Sequence, residues 1–410
     1  MDFKDTAEEA AFRTEARAWL TTNAERRSHP GETWKARYGE AEGLKHAKDF
    51  QARKAAAGFA ALTWPTEYGG RGATAIQQVI YQQEESRVLV PRGYFEIGLG
   101  MCIPTLLAYA TEEQKRRYAP KALAGEEIWC QLFSEPAAGS DLAALRTRAV
   151  RDGDHWVIDG QKIWTSGAHF SDYGIIVTRS DPRAPKHKGL TFFFLGMKSP
   201  GIEVRRIKQI SGASNFNEVY FTDVRVPDGQ RLGAVGQGWG VSITTLMNER
   251  LAVGDVAGPD FDEILALTRS TELEDGPAID NAAVRERLAD WYVRQQGLRY
   301  TKFRTMTALS RGQTPGPEAS IGKIVSAGKL QEIAAFGMDL LDMGGAVMDP
   351  DTAPMRAAFQ EAFLYSPGSR IAGGTDEILK NILAERVLGL PPDIRVDKGP
   401  PFDELPTGRG

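Results

Sequence analysis

Cysteine is nearly missing from these 410 residues: only Cys102 and Cys130 are present. Two thiols cannot build a disulfide framework. With just five scattered histidines, neither residue type recurs at metal-ligand spacing, so no metal site is expected. Long hydrophobic runs are missing too, since no stretch approaches the roughly 18 apolar residues of a membrane span. An excess of basic charge is also lacking. Lys and Arg number 50 against 54 Asp and Glu, a formal net charge of −4, and no strongly basic block stands out. That balance argues against non-specific nucleic-acid binding. The start, Met1-Asp2-Phe3-Lys4-Asp5-Thr6-Ala7-Glu8-Glu9, is acidic, unlike a secretory signal or a basic transit peptide, so a cytoplasmic chain is expected. No Gly-x-Gly-x-x-Gly follows a strand and opens a helix, which removes the signal of a Rossmann-type dinucleotide site.

What is present is ordinary for a globular protein of two or three domains: 42% apolar and 25% charged residues. Residues 1–128 read as helical. Phe12, Ala16 and Trp19–Leu20 recur at helix spacing, helices are expected at Ala75–Ser86 and Met101–Tyr109, and Thr111 caps Glu112–Arg117. Residues 129–240 change period. His155–Ile158, Tyr173–Thr178, Leu190–Leu195, Ile202–Ile207 and Val219–Val226 are short β-rich runs between turns, the pattern of a compact antiparallel domain. Helical character returns over 241–390. Asn281–Ser310, Glu318–Met343 and Thr375–Leu388 are long enough to pack as a bundle, with Thr271–Gly276 a loop. After Pro391-Pro392 a polar tail, 391–410, is expected to be mobile or to dock on a neighbouring subunit. The fold class is α+β.

Two stretches carry the chemistry. Leu132-Phe133-Ser134-Glu135-Pro136-Ala137-Ala138-Gly139-Ser140-Asp141 offers hydroxyls and a glycine that lets a ligand approach the backbone. Gly160-Gln161-Lys162-Ile163-Trp164-Thr165-Ser166-Gly167 adds the flat face of Trp164. Taken alone, the first is an ordinary Ser/Gly loop and Trp164 an ordinary core residue. As an ordered pair they suit a large ligand that is partly anionic and partly aromatic. Arg205, Arg206 and Lys208 are candidate anion donors, or equally a solvated strand edge.

The ordered pair resembles the acyl-CoA dehydrogenase family, whose middle domain carries both stretches around a flavin. The resemblance extends along the chain: Thr111-Glu112-Glu113-Gln114-Lys115 with Tyr118, Pro120, Leu123 and Gly125-Glu126; Phe221-Thr222-Asp223-Val224-Arg225-Val226-Pro227; and Gly373-Gly374-Thr375-Asp376-Glu377-Ile378. It implies an N-terminal helical domain, a middle antiparallel β domain and a C-terminal four-helix-bundle-like domain, with FAD as cofactor. It also implies removal of two hydrogens from an acyl-CoA thioester and electron transfer to an electron-transfer flavoprotein. A homodimer or homotetramer is implied, or a heterotetramer with a related chain. Gln131, Phe133, Ser134, Trp164 and Ser166 would flank the flavin ring, Ser140 would reach phosphate or the CoA moiety, and Thr375 and Glu377 would meet the adenosine.

In the family, the thioester oxygen is hydrogen-bonded by a backbone N–H at the C-terminal turn, here that of Gly373; one such donor is worth roughly 3–4 kcal/mol. Many members place the catalytic glutamate at that same turn, where this chain has a glycine. A subset carries it instead on the first helix after the β domain. Here that helix reads Ile243-Thr244-Thr245-Leu246-Met247-Asn248-Glu249-Arg250-Leu251, and Glu249 falls at the matching position. The apolar Leu246, Met247, Leu251 and Val253 suggest a buried helix, in which a desolvated carboxylate would have the raised pKa a base requires. Alone, Glu249–Arg250 reads as well as a wet helix face. The resemblance and the glycine at 373 together favour the base, with Arg250 beside the substrate and room for a branched or bulky acyl group.

Departures accompany the match. The family's Arg-x-x-Phe-Gly stretch, which grips a neighbouring subunit's pyrophosphate, is replaced here by Thr271-Glu272-Leu273-Glu274-Asp275-Gly276, and an expected glutamine by Leu341. The flavin is then held mainly in cis, bound weakly, or completed by a sister chain. Two alternatives remain at this stage: a flavin monooxygenase or oxidase of the same fold, and a non-catalytic partner subunit of a hetero-oligomeric dehydrogenase.

Overall fold

The computed structural model describes residues 5–27, 32–252, 258–311 and 316–406. They fall into two compact units. One comprises Glu8–Ser28, Glu32–Val253 and Asp393–Gly410; the other is built chiefly from Gly254–Pro392.

The first unit starts with helices: α1 (Ala7–Asn23), α2 (Trp34–Tyr38), α3 (Ala41–Ala56), α4 (Ala75–Glu85), α5 (Ile103–Tyr109) and α6 (Glu112–Leu123). On α1, Phe12, Ala16 and Leu20 are buried at four-residue steps, so one stripe faces the core. Reciprocal capping boxes, Thr74 with Gln77 and Thr111 with Gln114, start α4 and α6. Each satisfies two helix-end donors that would otherwise be orphaned. Thr111 caps as expected, but the helix runs on past Arg117 through Pro120. Between α4 and α5 the backbone makes one π-helical turn, Gly98–Cys102.

Eight strands follow: β1 (Trp129–Leu132), β2 (Arg148–Asp152), β3 (His155–Ser166), β4 (Tyr173–Arg179), β5 (Leu190–Gly196), β6 (Ile202–Ile207), β7 (Phe216–Pro227) and β8 (Arg231–Leu232). They form one sheet in the order β6-β7-β3-β2-β4-β5-β8, with β1 paired to β4. Most neighbours are antiparallel; β1 and β2 each lie parallel to β4. The period-two rule divides the side chains between two cores. Phe192 and Phe194 join the helices at Leu106, Leu123 and Val241, while Phe193 and Leu195 join Trp156, Ile176 and Val219 on the other face. Helix α7 (Gly238–Ala252) closes the first core.

The second unit contains α8 (Phe261–Ser270), a two-residue hairpin of β9 (Glu272–Leu273) and β10 (Gly276–Pro277), then α9 (Ala282–Ser310), α10 (Ser320–Leu341), α11 (Ala358–Ser369) and α12 (Asp376–Arg386). The stretch read as a plain loop at Thr271–Gly276 is thus mostly a tight hairpin. Ile264, Leu267, Val284, Leu288, Trp291, Ile333 and Phe359 share one core. Helices α10 and α11 approach closely at Gly337, where an added Cβ would lie 2.2 Å from the Phe359 ring. Part of the tail docks within its own unit: Asp397 meets Lys186, and the Phe402 and Asp403 N–H groups donate to the carbonyls of Ala184 and Pro182. One expectation needs correction. Among the described side chains of α7, Gly238, Val241, Ser242 and Thr245 are buried, whereas Met247 is exposed. Of the apolar residues used to infer burial, Leu246 is half-buried against the first core and Met247 lies off the inner face; the side chains of Leu251 and Val253 lie outside the described residues.

Candidate flavin site on the β domain

Strand β3 carries the second motif as regular sheet, except at one point. Its register against β7 shifts between Lys162 and Thr165, a β-bulge, and within it Trp164 adopts φ 59°, a left-handed conformation rare for a bulky residue. The bulge turns Trp164 outward, leaving it 56% exposed with its ring edge-on to Phe216 at 6.0 Å. A tryptophan held open at a cost in backbone strain is a candidate ligand surface. Ser166 is half-buried one residue beyond Thr165, and Gln131 is half-buried on β1, opposite Ile175 of β4.

The first motif is stitched to the second. Ile163 N–H donates to the Ser134 carbonyl at 2.9 Å, and Lys162 Nζ donates to the Phe133 carbonyl at 2.9 Å. The Phe133 ring itself packs into the core against Phe192, so only its backbone faces the site. Lys162 is fully buried and pairs with Glu135 at 2.9 Å. Glu135 also accepts the backbone N–H groups of Arg146 at 2.6 Å and Thr147 at 2.9 Å. Burial alone would push its carboxyl upward. Lys162 and those hydrogen bonds outweigh it and hold Glu135 below the usual carboxylate range. Sequence reading quoted Glu135 and Lys162 within the motifs but gave them no role. The available signal was a lysine at an inward-facing strand position, which requires a buried counter-charge. Ser140 is exposed, on the bends that follow the Glu135–Ala138 turn, and a Cβ at Gly139 would meet nothing within 4 Å.

Helix α7 packs against the π-helical turn and α5. Thr245 and Thr105 share a buried 2.8 Å hydrogen bond, and Thr244 meets Tyr109 at 2.9 Å. Isolated π-turns recur at functional sites. Position 249 follows Thr245 by four residues on this helix; the side chains of Glu249 and Arg250 lie outside the described residues. Two of the three anion candidates are already engaged, Arg205 with Glu203 and Arg206 with Glu40, while Lys208 is exposed.

In the second unit, Gly373 and Gly374 take φ +67° and +95°, and a Cβ at Gly373 would meet nothing within 4 Å. Thr375 caps α12, its hydroxyl accepting the Ile378 N–H at 3.2 Å. Glu377 is exposed in the first turn of α12. Lys323 donates to the Gly374 carbonyl at 2.6 Å, and Arg370 to buried Asp376 at 2.7 Å.

Three matches cover nearly the whole chain: the acyl-CoA dehydrogenase N-terminal domain over residues 6–126, the middle domain over 130–224 and the C-terminal domain over 236–388. The chain belongs to the acyl-CoA dehydrogenase family. Its relatives include the acyl-CoA dehydrogenase IpdE1 of Mycobacterium tuberculosis (strain ATCC 25618 / H37Rv), 36% identical over 93% of this chain and 97% of that one. Acyl-CoA dehydrogenase FadE34 of the same organism is 41% identical over 83% of this chain, which matches only 46% of FadE34's length. Among solved structures, the steroid ACAD Tcur3481-Tcur3483 superposes with a TM-score of 0.79 at 28% identity, covering 96% of this chain and all of that one.

Family membership brings FAD as cofactor and dehydrogenation of an acyl-CoA thioester as the reaction class. The residues present fit that cofactor. A bulged strand presents an open tryptophan face, half-buried Ser134 and Ser166 flank it, and an unobstructed Gly139 leaves room for close approach to the backbone. Among the described residues no group of His, Cys, Asp and Glu could hold a metal ion, and no helix is long and apolar enough to cross a membrane.

Proposed function

We propose that this chain dehydrogenates a bulky, steroid-side-chain-type acyl-CoA to its trans-2-enoyl-CoA, with Glu249 as the base. Glu249 takes the α-proton, the Gly373 N–H donates to the thioester oxygen, and Arg250 steadies the substrate. FAD, when bound, accepts the two electrons and the β-hydrogen lost by the acyl chain. Gln131, Phe133, Ser134, Trp164 and Ser166 hold its ring, Ser140 meets phosphate or the CoA moiety, and Thr375 and Glu377 meet the adenosine. The reduced enzyme passes its electrons to an electron-transfer flavoprotein in the cytoplasm. Because the Arg-x-x-Phe-Gly stretch is missing, the assembly is a heterotetramer with a related chain, consistent with the two-chain designation of the steroid ACAD neighbour.

The observation that carries this reading is Gly373. A left-handed glycine with no atom within 4 Å of its absent Cβ stands where many family members place a glutamate, so the turn supplies volume and an N–H while the base sits elsewhere. The test is anaerobic bleaching of the flavin. Glu249→Gln should slow bleaching by bulky acyl-CoA about 10²–10⁴-fold, the usual range for a lost general base, yet keep its yellow colour. Near-normal bleaching rejects Glu249. Equal rates with straight-chain and ring-bearing thioesters in the unsubstituted enzyme reject the bulky acyl group.

A further inference from the structure

Residues 393–406 lie against the 181–189 connection between β4 and β5. Pro401 bridges Pro185, the Phe402 N–H donates to the Ala184 carbonyl at 3.1 Å, and the Asp403 N–H to that of Pro182 at 3.0 Å. The Phe402 ring is buried, with the Arg179 guanidinium 3.7 Å from its centroid and that of Arg146 at 5.3 Å. Arg179 is itself buried and donates to the carbonyls of Ala143 at 2.6 Å and Lys186 at 2.8 Å. Lys186, only 4% exposed, donates to Asp141 at 2.6 Å and to Asp397 at 2.5 Å.

Both anchors of the tail therefore end on one short stretch. Phe402 reaches Ala143 through Arg179, and Asp397 reaches Asp141 through Lys186. That stretch begins with bends at Gly139, Ser140 and Asp141, which have no ladder of their own. A buried ammonium is costly unless carboxylates and hydrogen bonds surround it. Lys186 has two carboxylates, one from the loop and one from the tail. Burial pulls its pKa down, but the bonds to Asp141 and Asp397 outweigh this and raise it.

We propose that residues 393–406 form a clamp that positions the Gly139–Asp141 loop for a phosphate-bearing nucleotide ligand, with Lys186 as the positioning residue. The inference rests on the assignment of Ser140 to that ligand. The ligand is the FAD pyrophosphate or the CoA moiety of the substrate, and the two give different readouts.

The experiment compares the full chain with a chain ending at Pro392 and with full-length Asp397→Asn. Hydrogen exchange is followed over residues 136–147, FAD affinity by titration of apoprotein, and KM and kcat with an acyl-CoA. Removal of the tail should raise exchange in that peptide. It should also weaken one ligand roughly five- to tenfold, the effect of losing about one hydrogen bond's worth of positioning, with kcat within about twofold. A weakened FAD titration identifies the flavin; a raised acyl-CoA KM identifies the CoA moiety. Asp397→Asn should move the same readouts by less, and it keeps the test valid if the shortened chain folds poorly. Unchanged exchange over 136–147 in both variants overturns the clamp. Ser140→Ala separates the underlying assignment. If it weakens a ligand that tail removal leaves untouched, the clamp is wrong. If neither change affects either ligand while exchange rises, the assignment of Ser140 is wrong.

Discussion

Two buried carboxylates, one in each compact unit, organise two glycine-bearing turns in different ways. Glu135, 8% exposed, is saturated: both oxygens accept backbone N–H groups, and one also meets Lys162. Asp376, 4% exposed, is half-used. One oxygen accepts from Arg370, while the other has no hydrogen-bond partner among the described residues and lies 3.8 Å from Lys323. The first arrangement locks a loop through its own chain. The second leaves a turn with an unpartnered carboxylate oxygen and two consecutive left-handed glycines, the freedom that the proposed use of the Gly373 N–H would draw on.

The contrast predicts its largest effect at Lys162. Lys162→Met strips the counter-charge from a buried carboxylate, which should cost about 3–5 kcal/mol in urea unfolding. The paired change Glu135→Leu with Lys162→Met should not restore stability, because the Arg146 and Thr147 N–H groups would then lack an acceptor. Recovery in the double variant would show that Glu135 serves only the ion pair. The pH dependence has a definite sign. The folded Glu135 carboxyl lies below its unfolded value near 4.5, so its contribution is full above that value and is lost as pH falls through the folded pKa. The acid limb of stability should therefore be flatter in Glu135→Gln than in the parent.

Asp376→Asn should cost less, about 1–2 kcal/mol, because Arg370 is nearly half exposed and water replaces much of what it loses. An effect as large as that at Lys162 would erase the distinction between the two carboxylates. Gly373→Ala comes next. Nothing clashes with the new methyl, so the cost is that of one L-residue in a left-handed conformation, roughly 1–2 kcal/mol. Its sharper readout is selectivity: KM should rise more for bulky than for straight-chain acyl-CoA. An equal rise for both would deny that the open volume at this turn is used by substrate.

The sequence made the two motifs, the strand-rich middle and the long C-terminal helices legible, because each has a strong local signal. Less of the supporting frame was visible. Strand β3 runs from His155 through Ser166, although Gly160 reads as a breaker. Within the sheet that glycine admits Thr147, whose Cα would lie 2.7 Å from an added Cβ. The second motif therefore continues the strand past a residue read as a turn, and bulges within it. The tail's docking was illegible for another reason: Asp397 and Phe402 find Lys186 and Arg179 more than two hundred residues away, and no local pattern encodes such a pairing. On α7, apolar residue type suggested burial at Met247, but helical phase put Val241, Ser242 and Thr245 inside.

Arg206 offers the smallest effect and the cleanest contrast with Lys162. Both cations meet a glutamate, Lys162 at no exposure and Arg206 at the surface, where the two side chains are 39% and 45% exposed. Each nitrogen of the Arg206 guanidinium already makes a bond, to Glu40 at 3.1 and 2.7 Å and to the Ser214 carbonyl at 2.9 Å. In water such a pair gains little, so Arg206→Gln should shift stability by less than about 1 kcal/mol. That remainder should shrink further as salt is raised. The same reasoning bears on ligand binding. A guanidinium already held by Glu40 has little attraction left for a phosphate, so the acyl-CoA KM should not change. A severalfold, salt-sensitive rise in KM would mean that the β6 edge gives up its glutamate to bind anionic substrate, and that exposed pairing in this unit is as functional as the buried kind.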